Sequence, residues 1–241
     1  LYQGSPKSQT TDSGGTDQSN GAVYSRLWEL FHRTMNDAKK AEWIFFHLHC
    51  KTVGYHNDMY PPSAQGQARE VPVQDQVDEY EVIGPDGYGY PIYALKQNHK
   101  ALYGSLISEQ DMAKAYDDGN PYVNRDPRFY RDIIYHGSMF KGKWINTATG
   151  ADAINAANST STGYFTRKYF DGYYTKGMSG NWNFDAPLIR LATIYLVYAE
   201  AVTRSKGATP EVYNLMNELR ARSFMAPIPP AAQTNKELLL D

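Results

Sequence analysis

The stretch PLIRLATIYLVYAEAVTRSKGATPEVYNLMNELRARSFM, from Pro187 to Met225, decides the fold. Within Leu188–Ser205 the polar stripe is Arg190, Thr193, Glu200 and Arg204, and at about 100° per residue these fall within roughly 80° of one another. Leu188, Leu191, Ile194, Tyr195, Leu196, Tyr198 and Val202 occupy the rest, which predicts a helix buried on most sides. Gly207 suits a C-cap. Thr209-Pro210-Glu211 opens a second helix, with Thr as the cap, Pro in the first turn and Glu on the positive end of the dipole. Val212, Leu215, Met216 and Leu219 give that helix an apolar face, and Pro227, Pro229 and Pro230 stop it. Two antiparallel helices on a short turn are the unit of helical-repeat packing.

Outward from this pair the pattern loosens. Residues 3–22, rich in Gly, Ser, Thr, Gln and Asp, read as a loop, and Val23–Lys40 as a helix. AEWIFFHLHC (41–50) reads as an aromatic strand, and 52–73 as irregular. VQDQVDEYEV (73–82) is a short helix or strand before the turn Gly84-Pro85-Asp86-Gly87. A short helix is expected within 105–118. DPRFYRDIIYHGS (126–138) reads as a turn into a strand, 141–163 as loop, YFTRKYFDGYY (164–174) as a second aromatic strand, and 175–186 as a loop. Thr234-x-x-Glu237 has the capping-box spacing of a helix start and runs into Leu238, Leu239 and Leu240. The chain therefore divides into a loop-rich part (1–186), a helical hairpin (187–225), and a linker with the start of a helix (226–241). A start without Met and a helix cut after two turns suggest truncation at both ends.

Composition narrows the function. A net charge of -2 over 241 residues gives no basic field for nucleic acid or an anionic membrane. No run of 18 apolar residues exists to form a spanning helix. One cysteine, Cys50, excludes an internal disulfide framework and multi-cysteine metal sites. Aromatics make up 14% of the chain, yet mean hydropathy is -0.59, a mixture suited to ordered polar loops carrying amphipathic rings.

Catalytic signals are absent. There is no G-x-S-x-G, and Gly87-x-Gly89 lacks the later Gly of a phosphate loop. Asp75, Asp78, Glu79 and Glu81, like Asp117 and Asp118, cluster without a spacing that picks out an acid and a base. His47 and His49 would share a strand face, but Cys50 points the other way and no third ligand is identifiable. Polar positions on a partly exposed strand explain them better than a metal. What remains is aromatic: Tyr88 and Tyr90 in DGYGY, Trp144 in KGKWIN, and Trp182 in SGNWNFD. A flat ring beside amides and carboxylates can stack on a sugar while its neighbours bond the hydroxyls. For any one of them, a ring folded back to anchor its own loop is the commoner outcome.

Four ordered segments resemble the SusD/RagB family. The helical pair is similar to its "IRLAEIYLNYAEA" signature, VPVQDQVDEYEVIGPDG to "P-T-x-x-L-V-D-x-F-E-x-x-D-G", RDPRFYRDIIYHGS to "DPRF…I…G", and TGYFTRKYFD to "G-Y-x-x-R-K-Y". LYQGSP is similar to the end of a family helix leading into "SP". Thr193 stands where the family usually has Glu, and Ser223-Phe224-Met225 replaces an Ala-Gly run. The resemblance implies a mainly α fold, with tetratricopeptide-like helix pairs, long loops and a few short strands. It implies a non-enzyme that captures oligosaccharide, or peptide, at the outer-membrane surface and delivers it to a SusC-like TonB-dependent transporter. It further implies an N-terminal lipid anchor outside this chain, and no cofactor. Tyr88, Tyr90, Trp144 and Trp182 are the expected ligand contacts. A helical-repeat protein adaptor and, further off, a glycan-cleaving enzyme are the competing readings.

Overall fold

The computed structural model describes residues 41–51, 58–93, 106–168 and 183–240. The expected helix at 23–40, the loop at 3–22 and Trp182 lie outside them. Elements are β1 (Trp43–Lys51), α1 (Gln74–Asp78), β2 (Val82–Ile83), β3 (Gly89–Tyr90), α2 (Glu109–Ala115), α3 (Pro127–Asp132), β4 (Ile133–Ile134), β5 (Met139–Phe140), β6 (Lys143–Trp144), β7 (Phe165–Thr166), β8 (Asn183–Arg190), α4 (Leu191–Lys206), α5 (Pro210–Arg222) and α6 (Lys236–Leu240). The strands form four two-stranded sheets, β1–β8, β2–β3, β4–β7 and β5–β6. The chain divides into two compact units, one built from Asp78–Pro127 and Ile189–Asp241, the other from Tyr2–Val77 and Arg128–Leu188.

In the first unit the helical hairpin α4–α5 forms as the sequence predicts. Gly207 closes α4 at φ 84°, its N–H donating to the Thr203 carbonyl at 3.0 Å. Three details differ. Residues 188–190 belong to strand β8, so α4 starts at Leu191. Thr209 precedes Pro210, but its hydroxyl caps nothing; its carbonyl accepts from the Val212 and Tyr213 amides at 3.1 and 3.3 Å. The cap of α6 is Asn235, not Thr234: its Oδ1 accepts from the Glu237 and Leu238 amides at 3.0 and 3.3 Å.

The burial of α4 also differs from expectation. Ala192, Ala199, Val202 and Thr203 are buried, whereas Ile194, Leu196, Val197 and Tyr198 are exposed. An apolar side chain is removed from water only where another element lies against it, and α5 and α6 pack along one face of α4. The core beneath joins Ala199 and Val202 to Val212, Ile228, Ala232 and Leu239.

Hairpin β2–β3 pairs Val82 with Tyr90 and Ile83 with Gly89. Arg125 bridges to Val82 on the other side, where Ile83 N–H donates to the Asn124 carbonyl at 2.6 Å and Asp126 N–H to Glu81 at 2.8 Å. The buried Arg125 guanidinium donates to the carbonyls of Pro121 and Tyr80 at 3.0 and 2.9 Å, which ties this segment down. Helix α2 starts at a Ser108 cap, whose Oγ accepts from the Asp111 amide at 3.1 Å.

In the second unit, DPRFYRD forms helix α3 before its strand, where the sequence reading placed a turn. Pro127 at the first helical position explains this: its missing N–H would have been unpaired there anyway. Ile133 pairs with Thr166 and Ile134 with Phe165, and the second aromatic run beyond 168 lies outside the described residues. Within 141–163, expected to be loop throughout, β6 pairs with β5 across a tight turn at Lys141 and Gly142, both with positive φ (49° and 73°). The core contains Tyr60, Ile134, Phe140, Ile145 and Phe165, with Tyr60 and Phe140 packed edge to face at 5.1 Å.

Candidate functional site

The four expected ligand contacts take different places. Trp144 projects from β6 in the second unit with 70% of its surface exposed. Strand alternation produces this exposure: Ile145 next to it is buried, and Phe140 across the turn is buried in the same core. Met139 is its cross-strand partner. Lys143 is held by a 2.8 Å bond from Nζ to the Ser63 carbonyl.

The turn after Trp144 is pinned by its own polar groups. Asn146 Oδ1 accepts from the Ala148 and Thr149 amides at 2.9 and 3.0 Å, and Nδ2 donates to Thr149 Oγ1 at 2.8 Å. Thr147 N–H donates to His136 Nδ1 at 3.1 Å, which places the neutral-ring proton on Nε2. Asn146, expected to offer hydrogen bonds beside the ring, therefore spends its carbonyl on forming the turn. The outcome is an exposed ring on a rigid mount.

Tyr88 and Tyr90 sit together in the first unit, on hairpin β2–β3. Tyr90 is only 1% exposed and packs with Met112, while its hydroxyl donates to Asp86 Oδ2 at 2.7 Å. Burial, reinforced by that carboxylate, holds its phenol pKa well above the ordinary value. Asp86 also accepts the Tyr88 amide at 3.1 Å, so one carboxylate fixes the whole DGYGY turn. Tyr90 thus anchors its own loop. Tyr88 is half-buried against the same cluster and leaves part of its ring accessible. Trp182 lies outside the described residues.

Sequence reasoning missed a feature beside this turn. Arg220 on α5 makes a bidentate pair with Glu81, Nη1 to Oε1 at 2.7 Å and Nη2 to Oε2 at 2.9 Å, and its Nε donates to the Ala226 carbonyl at 2.7 Å. Nothing in a one-dimensional pattern links positions 139 residues apart. The signal available was Gly89 itself, because a Cβ there would collide with Glu81 and come within 2.6 Å of Met225 Cε. The pair and hairpin border a cleft of about 190 Å³.

His47 is exposed on β1, and the side chains of His49 and Cys50 lie outside the described residues. Among the described residues no three His, Cys, Asp or Glu side chains gather as metal ligands, and no helix is long and apolar enough to cross a membrane.

A mainly helical fold with a few short strands is what this chain shares with solved SusD-like proteins. A SusD-like carbohydrate-binding protein from Bacteroides fragilis superposes with a TM-score of 0.62 at 19% identity, over 89% of this chain and 39% of that one. A second SusD-like protein from the same organism gives 0.60 at 22% identity, over 94% and 43%. The chain spans about two fifths of the length of each. The particular assignment follows from sequence: residues 6–241 match the SusD family model, and the chain belongs to the SusD family. No functionally curated protein matches it.

Proposed function

We propose that the chain is part of a non-catalytic glycan-capture protein, in which Trp144 offers a stacking surface to a sugar ring. Family membership supports nutrient binding in general. One observation carries the assignment to Trp144: a 70% exposed indole on a hairpin whose flanking residues Phe140 and Ile145 are buried. An exposed Trp on a mobile loop would lose much of its stacking energy to ordering, whereas a mounted one loses little. Tyr88 is a weaker candidate. Tyr90 contributes by holding the turn, and Trp182 keeps its place as an expected contact from the sequence alone.

Delivery to a SusC-like TonB-dependent transporter, at the outer-membrane surface and through a lipid anchor on another part of the protein, completes the reading. Oligosaccharide is the favoured ligand and peptide the second. Titrating the chain with a panel of oligosaccharides and peptides, while following tryptophan fluorescence, tests it. Binding of a glycan that disappears in Trp144→Ala supports the assignment, and glycan affinity unchanged in that variant sinks it. The adaptor reading draws on the exposed Ile194, Leu196 and Val197 of α4, and a polypeptide partner captured through those residues with no glycan bound would favour it.

A further inference from the structure

The residues next to Trp144 decide which sugar its face prefers. Burial alternates along the chain here: Trp144 and Asn146 are exposed, while Ile145 and Thr147 are buried. The indole and the Asn146 amide therefore share one face, about 6.6 Å apart along the extended backbone. The orientation of the amide is fixed, because Oδ1 accepts from the Ala148 and Thr149 backbone N–H groups. Nδ2 spends one proton on Thr149 Oγ1 at 2.8 Å. Two donors are left over, the second Nδ2 proton and the Thr149 hydroxyl proton, and neither has an acceptor among the described residues. The side-chain edge beside the ring donates, and its carbonyl is already taken twice.

The charge around this edge has one sign. Residues 133–151 contain no Asp or Glu and carry Lys141 and Lys143. The two carboxylates that bracket them are engaged elsewhere: Asp132 lies 3.4 Å from Arg131, and the buried Asp152 accepts the Ser63 N–H at 2.8 Å. Lys143 Nζ bonds the Ser63 carbonyl, a neutral acceptor, and has no carboxylate partner among the described residues. Its charge is therefore uncompensated there. Spare donors beside such a cation favour a ligand oxygen that carries negative charge, since a charge-assisted hydrogen bond is roughly twice as strong as a neutral one.

We propose that the sugar stacked on Trp144 is a uronic acid, its carboxylate accepting from Asn146 Nδ2 and Thr149 Oγ1 in the field of Lys143. This rests on the glycan reading of Trp144 and adds to it the charge of the ligand. A neutral hexose offers the same two donors only a hydroxyl oxygen, and gains less from them.

The test titrates the 241-residue chain, followed by tryptophan fluorescence, with tetrasaccharides of galacturonate, of mannuronate and of glucuronate-containing hyaluronan, each beside its methyl ester. At least one acidic tetrasaccharide is expected to bind roughly three- to tenfold more tightly than its ester at low salt, an advantage that shrinks as salt rises. Asn146→Asp keeps an oxygen for the two amides of the turn but puts a carboxylate where the donor stood. It should weaken the acid about tenfold or more and the ester by less. Lys143→Gln should reduce both the acid's advantage and its salt dependence. Trp144→Ala should weaken acid and ester alike. Esters that bind as tightly as their acids while still depending on Trp144 overturn the uronate proposal and leave the stacking reading standing. Binding indifferent to Trp144→Ala overturns the stacking reading and the proposal with it, and so does a panel in which no acidic member binds overturn the proposal. Should Asn146→Asp fail to fold, Lys143→Gln decides alone, because an exposed lysine can be neutralised without disturbing the core.

Discussion

Replacing Gly89 by alanine sets two opposed effects against each other. Gly89 sits in a strand, and its φ is outside the left-handed region, so the backbone tolerates a side chain. Alanine would then stabilise by about 0.4–1 kcal/mol through the unfolded chain. Against this, the new Cβ would overlap Glu81 Oε2, lie 2.6 Å from Met225 Cε, and stand 3.0 Å from Arg220 Nη2. Overpacking of this kind costs about 1–3 kcal/mol. Displacing a bidentate pair whose side chains are 12% and 20% exposed adds about 1–2 kcal/mol, less than for a fully buried pair. The packing side wins, and the expected net loss is about 1–4 kcal/mol. Urea denaturation at unchanged m-value measures it. The decisive comparison repeats the substitution in a Glu81→Ala background. There the carboxylate is gone and only the flexible ends of Met225 and the released Arg220 must yield, so the penalty should shrink by about 0.5–3 kcal/mol of coupling. A Gly89→Ala variant that is more stable than the parent, or whose cost is the same in both backgrounds, refutes the argument.

Trp144→Ala should change stability by less than about 0.5 kcal/mol, as befits an exposed ring, while weakening glycan binding about tenfold or more; fluorescence titration beside a denaturation curve reads both. Phe140→Ala, on the same hairpin but buried, should cost about 3–5 kcal/mol in thermal or chemical denaturation. Arg125→Ala removes both donors to the Pro121 and Tyr80 carbonyls and should cost about 2–4 kcal/mol, checked by the same denaturation. Tyr90 yields a pH prediction. Its phenol pKa is raised in the folded state, so the unfolded chain releases its proton first, near pH 10, and stability falls as pH rises above that value. Tyr90→Phe should lose that part of the alkaline slope in stability measured from pH 8 to 11, and an unchanged slope counts against the burial and Asp86 account.

The hairpin α4–α5 was legible because three independent local signals agree: a polar stripe, a terminal Gly, and Thr-Pro-Glu at the next start. Where one signal was read alone, the details moved. Thr234 has the capping-box spacing, but Asn235 stands one residue nearer the helix and its side-chain carbonyl takes the Glu237 and Leu238 amides. DPRFYRD carries β-type aromatics, but Pro127 offers a helix start, and six residues suffice for one before Ile133 and Ile134 enter their strand. The apolar surround of α4 was read correctly as apolar and incorrectly as buried. Periodicity reports which side chains would gain from burial, while the partner that buries them is a property of the tertiary structure.

The candidate site was legible to a lesser degree, for a physical reason that separates Trp144 from Tyr90. Both are rings beside a Gly-containing turn, and the local sequences KGKWIN and DGYGY rank them equally. Strand alternation then sends them in opposite directions. Trp144 points away from a core already filled by Phe140 and Ile145, while Tyr90 points into one, with Asp86 at the right distance to receive its hydroxyl. The phase of a two-residue strand is set by what it pairs with and which face is covered, and neither is written in six residues. The Glu81–Arg220 pair shows the same limit at longer range. A carboxylate in an acidic run and an arginine on a helix are each unremarkable, and only the close approach over Gly89 brings them together. Such a glycine, placed in a strand without a conformational need for one, marks a spot where another part of the chain must come near.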